Sequence, residues 1–273
     1  PLFYLLMILA SLELNISVLY QQINACLIGF TLIGVYWFTK KEESYAGKWL
    51  CFATNLKAVP GFFSVPLFFS FSKKYFVSIV LTSVFLLLLP SVFVGMQKNY
   101  EFHLVWFGRL FEGLELVRDD QIDLATIFKR FGYPFLGNAL SYTVLASSFL
   151  ILIRGSYKRS IDMTWLGVGL IALLLVSPRT ESPTFVFLAP FYIYAYFSLE
   201  NFNTSGRWVL TTLLLAAGFF VTAAFTDLWP KFIWRPTYVT KTLAAFILWG
   251  IAICFRLRAN LNLGAINLKR LNN

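Results

Sequence analysis

The sequence predicts an all-α, polytopic membrane bundle. Three observations lead there. Of the 273 residues, 58% are hydrophobic and 13% charged, against roughly 25% charged in a soluble domain. The mean hydropathy is +0.70. Apolar runs that approach the ~20 residues of a spanning helix recur along the whole chain.

Seven full crossings are expected, at 23–39, 75–96, 134–153, 163–178, 182–199, 208–226 and 238–255. Before them stands "PLFYLLMILA", residues 1–10. It has no basic n-region and no small-residue cleavage site, so it reads as the stump of a helix and not as a signal peptide. The chain is therefore expected to be a single transmembrane domain, 1–273, that lacks its N-terminal helices.

The apolar run 46–72 is interrupted by Lys57 and Pro60, with Gly61 following. Charge decides its path. If it crossed once, Lys40/Lys41 and Lys73/Lys74 would lie on opposite sides; if it enters and turns back, they share one side. The later spans then bring every other basic turn to that side. Lys and Arg at 40, 41, 48, 73, 74, 154, 158, 159, 207, 256, 258, 269 and 270 gather there, against the acids Glu42, Glu43, Asp162 and Glu200. By the positive-inside rule this side is cytoplasmic, the C-terminus included. Residues 46–72 are thus expected to form a re-entrant hairpin. Its broken tip near Lys57–Pro60 would be buried in protein or line a cavity, because only there is unpaired backbone tolerated at membrane depth.

Loop 97–133 then faces outward. In "HLVWFGRLFEGLELVR", Trp106, Phe107, Leu110, Phe111, Leu114 and Val117 share one helical face, and Arg109, Glu112 and Glu115 the other. That periodicity suits a helix lying at the membrane surface or packed on the bundle.

Several function classes are excluded. The net charge of +10 is that of cytoplasmic loops on anionic lipid, and no basic-and-aromatic ribbon suggests nucleic acid. Cys26, Cys51 and Cys254 lie in apolar stretches without a Cys-x-x-Cys, and there is one histidine, His103. Neither a disulfide frame nor a metal site is expected. No HExxH, Walker loop or dinucleotide fingerprint occurs.

The informative residues are polar ones in apolar surroundings. A Lys at the bilayer centre costs about 2.5–3.5 kcal/mol, so Lys57 needs an anion such as a lipid phosphate, or it snorkels to an interface. Arg179 sits between Pro178 and Pro183 in "VSPRTESPTF", an external turn. Its planar fork suits phosphate oxygens, and pairing with Glu181 is the plainer alternative. Gln22 and Asn24 stand at a helix entrance, where amides cap, bond a neighbouring helix or hold sugar hydroxyls. Asp119, Asp120, Gln121 and Asp123 crowd one short external stretch; clustered carboxylates supply a general base or a metal site, or are solvated loop residues or helix caps, and Asp123 suits a cap for a helix starting at Leu124.

In order, these stretches resemble glycosyltransferase family 87. "QQINACLIGF" (21–30) is similar to that family's Gly-Gln-x-Asn helix entrance, with Gln21 in place of Gly and with Gln22 and Asn24 matching. "AGKWLCFATNLKAVPGFFSVPLFFSFSKK" (46–74) resembles the next segment, with its Ala-Gly start, a Lys-x-x-Pro core at Lys57–Pro60 and a basic end. "QIDLATIFKR" (121–130) is similar to an Asn-Gln-Ser-Leu stretch, with Gln121 and Asp123 in the first and third places and Arg130 seven residues after Asp123. "VSPRTESPTFVFLAPFY" (176–192) resembles a Ser-Pro-Arg turn before a Pro-bearing helix.

The resemblance implies a C-type fold. It implies transfer of a sugar, often mannose, from a polyprenyl-phosphate carrier to a lipid-linked or other glycan acceptor on the outer face of the bacterial cytoplasmic membrane. The carrier-bound sugar is then a substrate and no cofactor is expected; the partners are the donor, the acceptor and membrane lipid. Arg179 and Lys57 would meet the donor phosphate. Gln22, Asn24, Gln121 and Asp123 would meet sugar or acceptor. The family's base is an Asp in an external loop that would precede Pro1, so none is named. A transporter or lipid flippase is the rival reading, since broken helices and intramembrane cations suit it too. It requires two similar halves, and the sequence shows none.

Overall fold

A computed structural model describes residues 24–57, 60–112, 123–177, 188–198, 204–221 and 241–257. Every regular element among the described residues is helical. In order they are α1 Asn24–Thr39, α2 Glu43–Leu56, α3 Gly61–Phe68, α4 Lys73–Leu88, α5 Ser91–Val94, α6 Met96–Glu112, α7 Leu124–Arg130, α8 Pro134–Tyr157, α9 Met163–Val176, α10 Ala189–Ser198 and α11 Thr204–Val221. A last helix, α12, covers 241–257.

Helices thus stand at all seven expected crossings. Two are long and apolar enough to cross a bilayer by length and composition: Lys73–Val94, of 22 residues, and Pro134–Tyr157, of 24. α1 and α9 are apolar but have 16 and 14 residues. At 1.5 Å per residue they reach about 24 and 21 Å, less than the ~30 Å hydrocarbon core. The all-α class holds; a count of seven crossings does not follow from these lengths.

The run 75–96 also breaks where the sequence reading kept it whole. Proline has no N–H for the carbonyl four residues back, and α4 gives way at Leu89–Pro90 to the single turn of α5. That turn ends at Gly95, whose φ of +83 would cost an L side chain roughly 1–2 kcal/mol.

The chain divides into two compact units, and each is described by itself. The first holds 25–121 and 152–160. Its centre is α2 packed on α4. Over the expected hairpin stretch, α2 ends at Lys57 and the short α3 runs back from Pro60, with residues 58–59 outside the described ones, and the far ends of the two helices meet. The Ser72 hydroxyl donates to the Glu43 carboxylate, and Arg159 Nη1 pairs with Glu43 Oε1 at 3.0 Å. Three basic turns, 40–41, 73–74 and 158–159, therefore converge on one buried acid.

Because α3 carries the chain back, α2 and α4 run parallel. Gly47 lets them touch: a Cβ there would lie 3.0 Å from the Tyr75 carbonyl and 3.0 Å from Ser78 Cβ. One turn on, Cys51 Sγ and Ser83 Oγ are 3.0 Å apart. Tyr75 is fully buried, with ring edges against Phe38 and Phe68. Its hydroxyl donates to the Ser64 carbonyl at 3.2 Å, fastening α3 to α4.

The second unit holds 1–24, 122–151 and 161–273. Its core is α9, buried continuously from Thr164 to Leu175, as suits a helix apolar on all sides. Phe191 of α10 packs on Gly167, where an added Cβ would collide with its ring. Trp249 Nε1 donates to Ser148 Oγ at 2.8 Å, joining α12 to α8. Asp162 caps α9 by accepting from Trp165 N at 2.8 Å, and its other oxygen accepts from the buried Arg256 at 2.9 Å.

Candidate functional site

At the end of α2 and α4 remote from Glu43, a cavity of about 460 Å³ opens. α2 brings Phe52, Asn55 and Leu56 to it, and the end of α4 brings Leu86, Leu87 and Pro90. The remaining wall is α6. Asn99, Phe102, His103 and Trp106 fall at i, i+3, i+4 and i+7 and so share one stripe of that helix.

Local chemistry fixes these side chains. The break at Pro90 frees carbonyls at the end of α4. The Leu87 carbonyl is taken by Asn99 Nδ2 at 2.8 Å and by His103 Nε2 at 3.0 Å, which requires the proton on Nε2. Asn55 Nδ2 donates to the Cys51 carbonyl at 2.9 Å. Both amides thus use their NH₂ groups on backbone and keep a carbonyl oxygen able to accept from a hydroxyl. The cavity offers aromatic faces from Phe52, Phe102 and Trp106 beside these acceptors, a combination that suits a sugar face and its hydroxyls.

Lys57 follows directly after Leu56 at the hairpin tip, in an extended conformation that ends α2. It is partly exposed, and its N–H bonds the Ala53 carbonyl at 3.1 Å. Asn24 is the first residue of α1 and is fully buried. Gln22, Gln121 and Arg179 lie outside the described residues.

Asp123 is 2% exposed and caps α7. Its Oδ1 accepts from Thr126 N at 3.0 Å and its Oδ2 from Thr126 Oγ1 at 2.7 Å. Burial pushes its carboxyl up from the ordinary value, and the Thr126 bonds partly offset that. The cap accounts for this side chain. Asp123→Ala should destabilise the protein by about 1 kcal/mol, read by thermal unfolding in detergent. A raised folded-state pKa means the unfolded chain ionises first, so stability should fall as pH rises through the window above the ordinary Asp value. Asp123→Asn should keep the cap and remove that slope.

Among the described residues, no group of three or more His, Cys, Asp or Glu side chains is placed to share a metal ion. The cavity's amides and His103 escaped the sequence reading. The amphipathic face in the sequence starts at Trp106, whereas α6 begins at Met96 and the stripe that lines the cavity starts at Asn99. The Pro90 break, visible in the sequence, is the signal that could have found them.

The model of glycosyltransferase family 87 matches residues 1–178, which include the hairpin, the cavity and the Asp123 cap. No curated protein and no solved structure matches the chain.

Proposed function

The chain belongs to glycosyltransferase family 87, and from that premise we propose that it is an integral-membrane enzyme moving a hexose, mannose by the family resemblance, from a polyprenyl-phosphate carrier to a lipid-linked or other acceptor. The observation that carries this reading is the cavity of aromatic rings and amide acceptors at the Lys57 end of the α2–α4 pair. It lies at the end opposite the converging lysines. With those lysines in the bacterial cytoplasm, the cavity belongs to the outer side.

Lengths support this placement. Lys73–Val94 has 22 residues and reaches at most about 33 Å across the Pro90 break, whereas α2 has 14 residues and about 21 Å. Starting from the same level, the Lys57 tip stops roughly 10 Å short of the far interface. A lipid-linked phosphate drawn into such a notch would meet a cation. Phe52, Phe102 and Trp106 would stack on the sugar or first isoprene, and the amides would orient hydroxyls. By the family resemblance, Arg179 would neutralise the departing phosphate. By the same resemblance, Gln22, Asn24 and Gln121 would meet the sugar or the acceptor. The buried acids Glu43 and Asp123 are otherwise engaged, the first with Ser72 and Arg159 and the second as a cap, and the more exposed Asp162 caps α9. We assign the general base to none of them.

The test uses the full-length protein in nanodiscs with polyprenyl-phosphate mannose and candidate lipid acceptors. Trp106→Ala should lower transfer about tenfold, or ~1.4 kcal/mol, with folding intact by circular dichroism. Unchanged transfer would remove the cavity from the donor path. A flippase would instead move the carrier without forming a new glycosidic product.

A further inference from the structure

The opposite end of the α2–α4 pair holds a second groove, of about 550 Å³. Three ammonium groups border it, Lys48 from α2 and Lys73 and Lys74 from the first turn of α4. Among the described residues none of the three has a carboxylate partner. The buried acid nearby, Glu43, is occupied by Ser72 and Arg159. Lys48 Nζ sits 5.3 Å from the centre of the Tyr45 ring.

Three like charges on one groove repel one another, and two of them also oppose the positive end of the α4 dipole. An anion among them would reverse both penalties. Ser44 and Thr82 bring hydroxyls to the same walls, and the Ser78 hydroxyl donates to the Ser44 carbonyl at 2.6 Å.

The rest of the lining distinguishes between anions. Val77 and Leu81 complete the groove, yet they are 51% and 65% exposed. They begin an uncovered stripe that continues along α4 through Val84, Phe85 and Leu88, at i, i+4, i+7, i+8 and i+11. The site is cationic at its mouth and apolar along the helix leading away. Free phosphate would use only the mouth; an amphiphile with an anionic head would use both.

We propose that the groove bordered by Lys48, Lys73 and Lys74 binds the phosphodiester headgroup of an anionic phospholipid, with an acyl chain along the Val77–Leu88 stripe of α4. Basic pockets beside membrane helices recognise such headgroups. This site lies about 15 Å along the helix pair from the aromatic cavity, and it would hold the open end of the hairpin at the membrane surface. It rests on the membrane reading above and not on the transfer reaction.

The experiment is native mass spectrometry of the full chain released from nanodiscs that mix phosphatidylcholine with phosphatidylglycerol. Wild type should retain phosphatidylglycerol in excess of its share of the mixture. Lys48→Gln/Lys73→Gln/Lys74→Gln should lose that excess, with roughly fivefold weaker retention per lysine removed. The charge-matched Lys40→Gln/Lys41→Gln/Lys98→Gln should keep it. Leu81→Ser, which leaves every charge in place, should weaken retention of the lipid. Equal loss in both triple variants would reduce the effect to bulk charge and overturn the site. Displacement of the lipid by millimolar inorganic phosphate, or no effect of Leu81→Ser, would make it a free-anion site and overturn the lipid assignment. Retention is read without turnover, so a failed transferase assay leaves this outcome standing.

Discussion

Arg179→Ala should lower transfer from the lipid-phosphate donor by about 100-fold, chiefly through kcat. Removing a positioned donor from a developing oxyanion typically costs on the order of 10²–10³ in rate. The donor already carries charge on its phosphate, but the leaving group gains more as the glycosidic bond breaks. A guanidinium that follows that gain stabilises the transition state more than the ground state, so kcat falls while KM moves little. Arg179→Lys should recover part of the activity, because charge is restored without the bidentate fork. Steady-state kinetics on both variants in nanodiscs checks the expectation. Full activity in Arg179→Ala would return this residue to a proline-framed turn paired with Glu181.

Asp162→Ala should be the most destabilising single change among the described carboxylates, by about 2–3 kcal/mol. Two losses combine. The α9 cap, an oxygen accepting from Trp165 N at 2.8 Å, is worth about 1 kcal/mol. The charged bond to Arg256 at 2.9 Å adds roughly 1.5–3 kcal/mol. The carboxylate is partly exposed, at 40%, whereas the Arg256 side chain is 3% exposed, so solvent screening keeps the sum toward its lower end. Asp162→Asn should retain the cap and lose only the ion pair. Thermal unfolding in detergent separates the two. A change below about 0.5 kcal/mol for Asp162→Ala would mean that neither bond contributes to the fold of this unit.

The hairpin was legible because it followed from a conflict of charge. Lys40/Lys41 and Lys73/Lys74 cannot share a side if 46–72 crosses once, and the chain does turn back within that stretch, so that Ser72 and Arg159 meet at Glu43. The Asp123 cap was legible for a local reason, since capping depends on residues three apart. The roles of Glu43 and Asp162 were not. Both counted as loop acids on the basic side, and their partners, Arg159 and Arg256, are 116 and 94 residues away. No periodicity records such a pairing. The cavity was half legible: Trp106 lay on the predicted amphipathic face, but Asn99 and His103 gained their role from the Leu87 carbonyl. That carbonyl is available because Pro90 interrupts a helix that hydropathy alone reads as continuous.

The most direct measurement is product formation by wild-type protein in nanodiscs holding polyprenyl-phosphate mannose and a lipid acceptor, read by mass spectrometry of the acceptor. The account predicts an acceptor heavier by one hexose, with the carrier phosphate released. Carrier movement between leaflets in reconstituted vesicles, with every offered acceptor left unglycosylated, would contradict it.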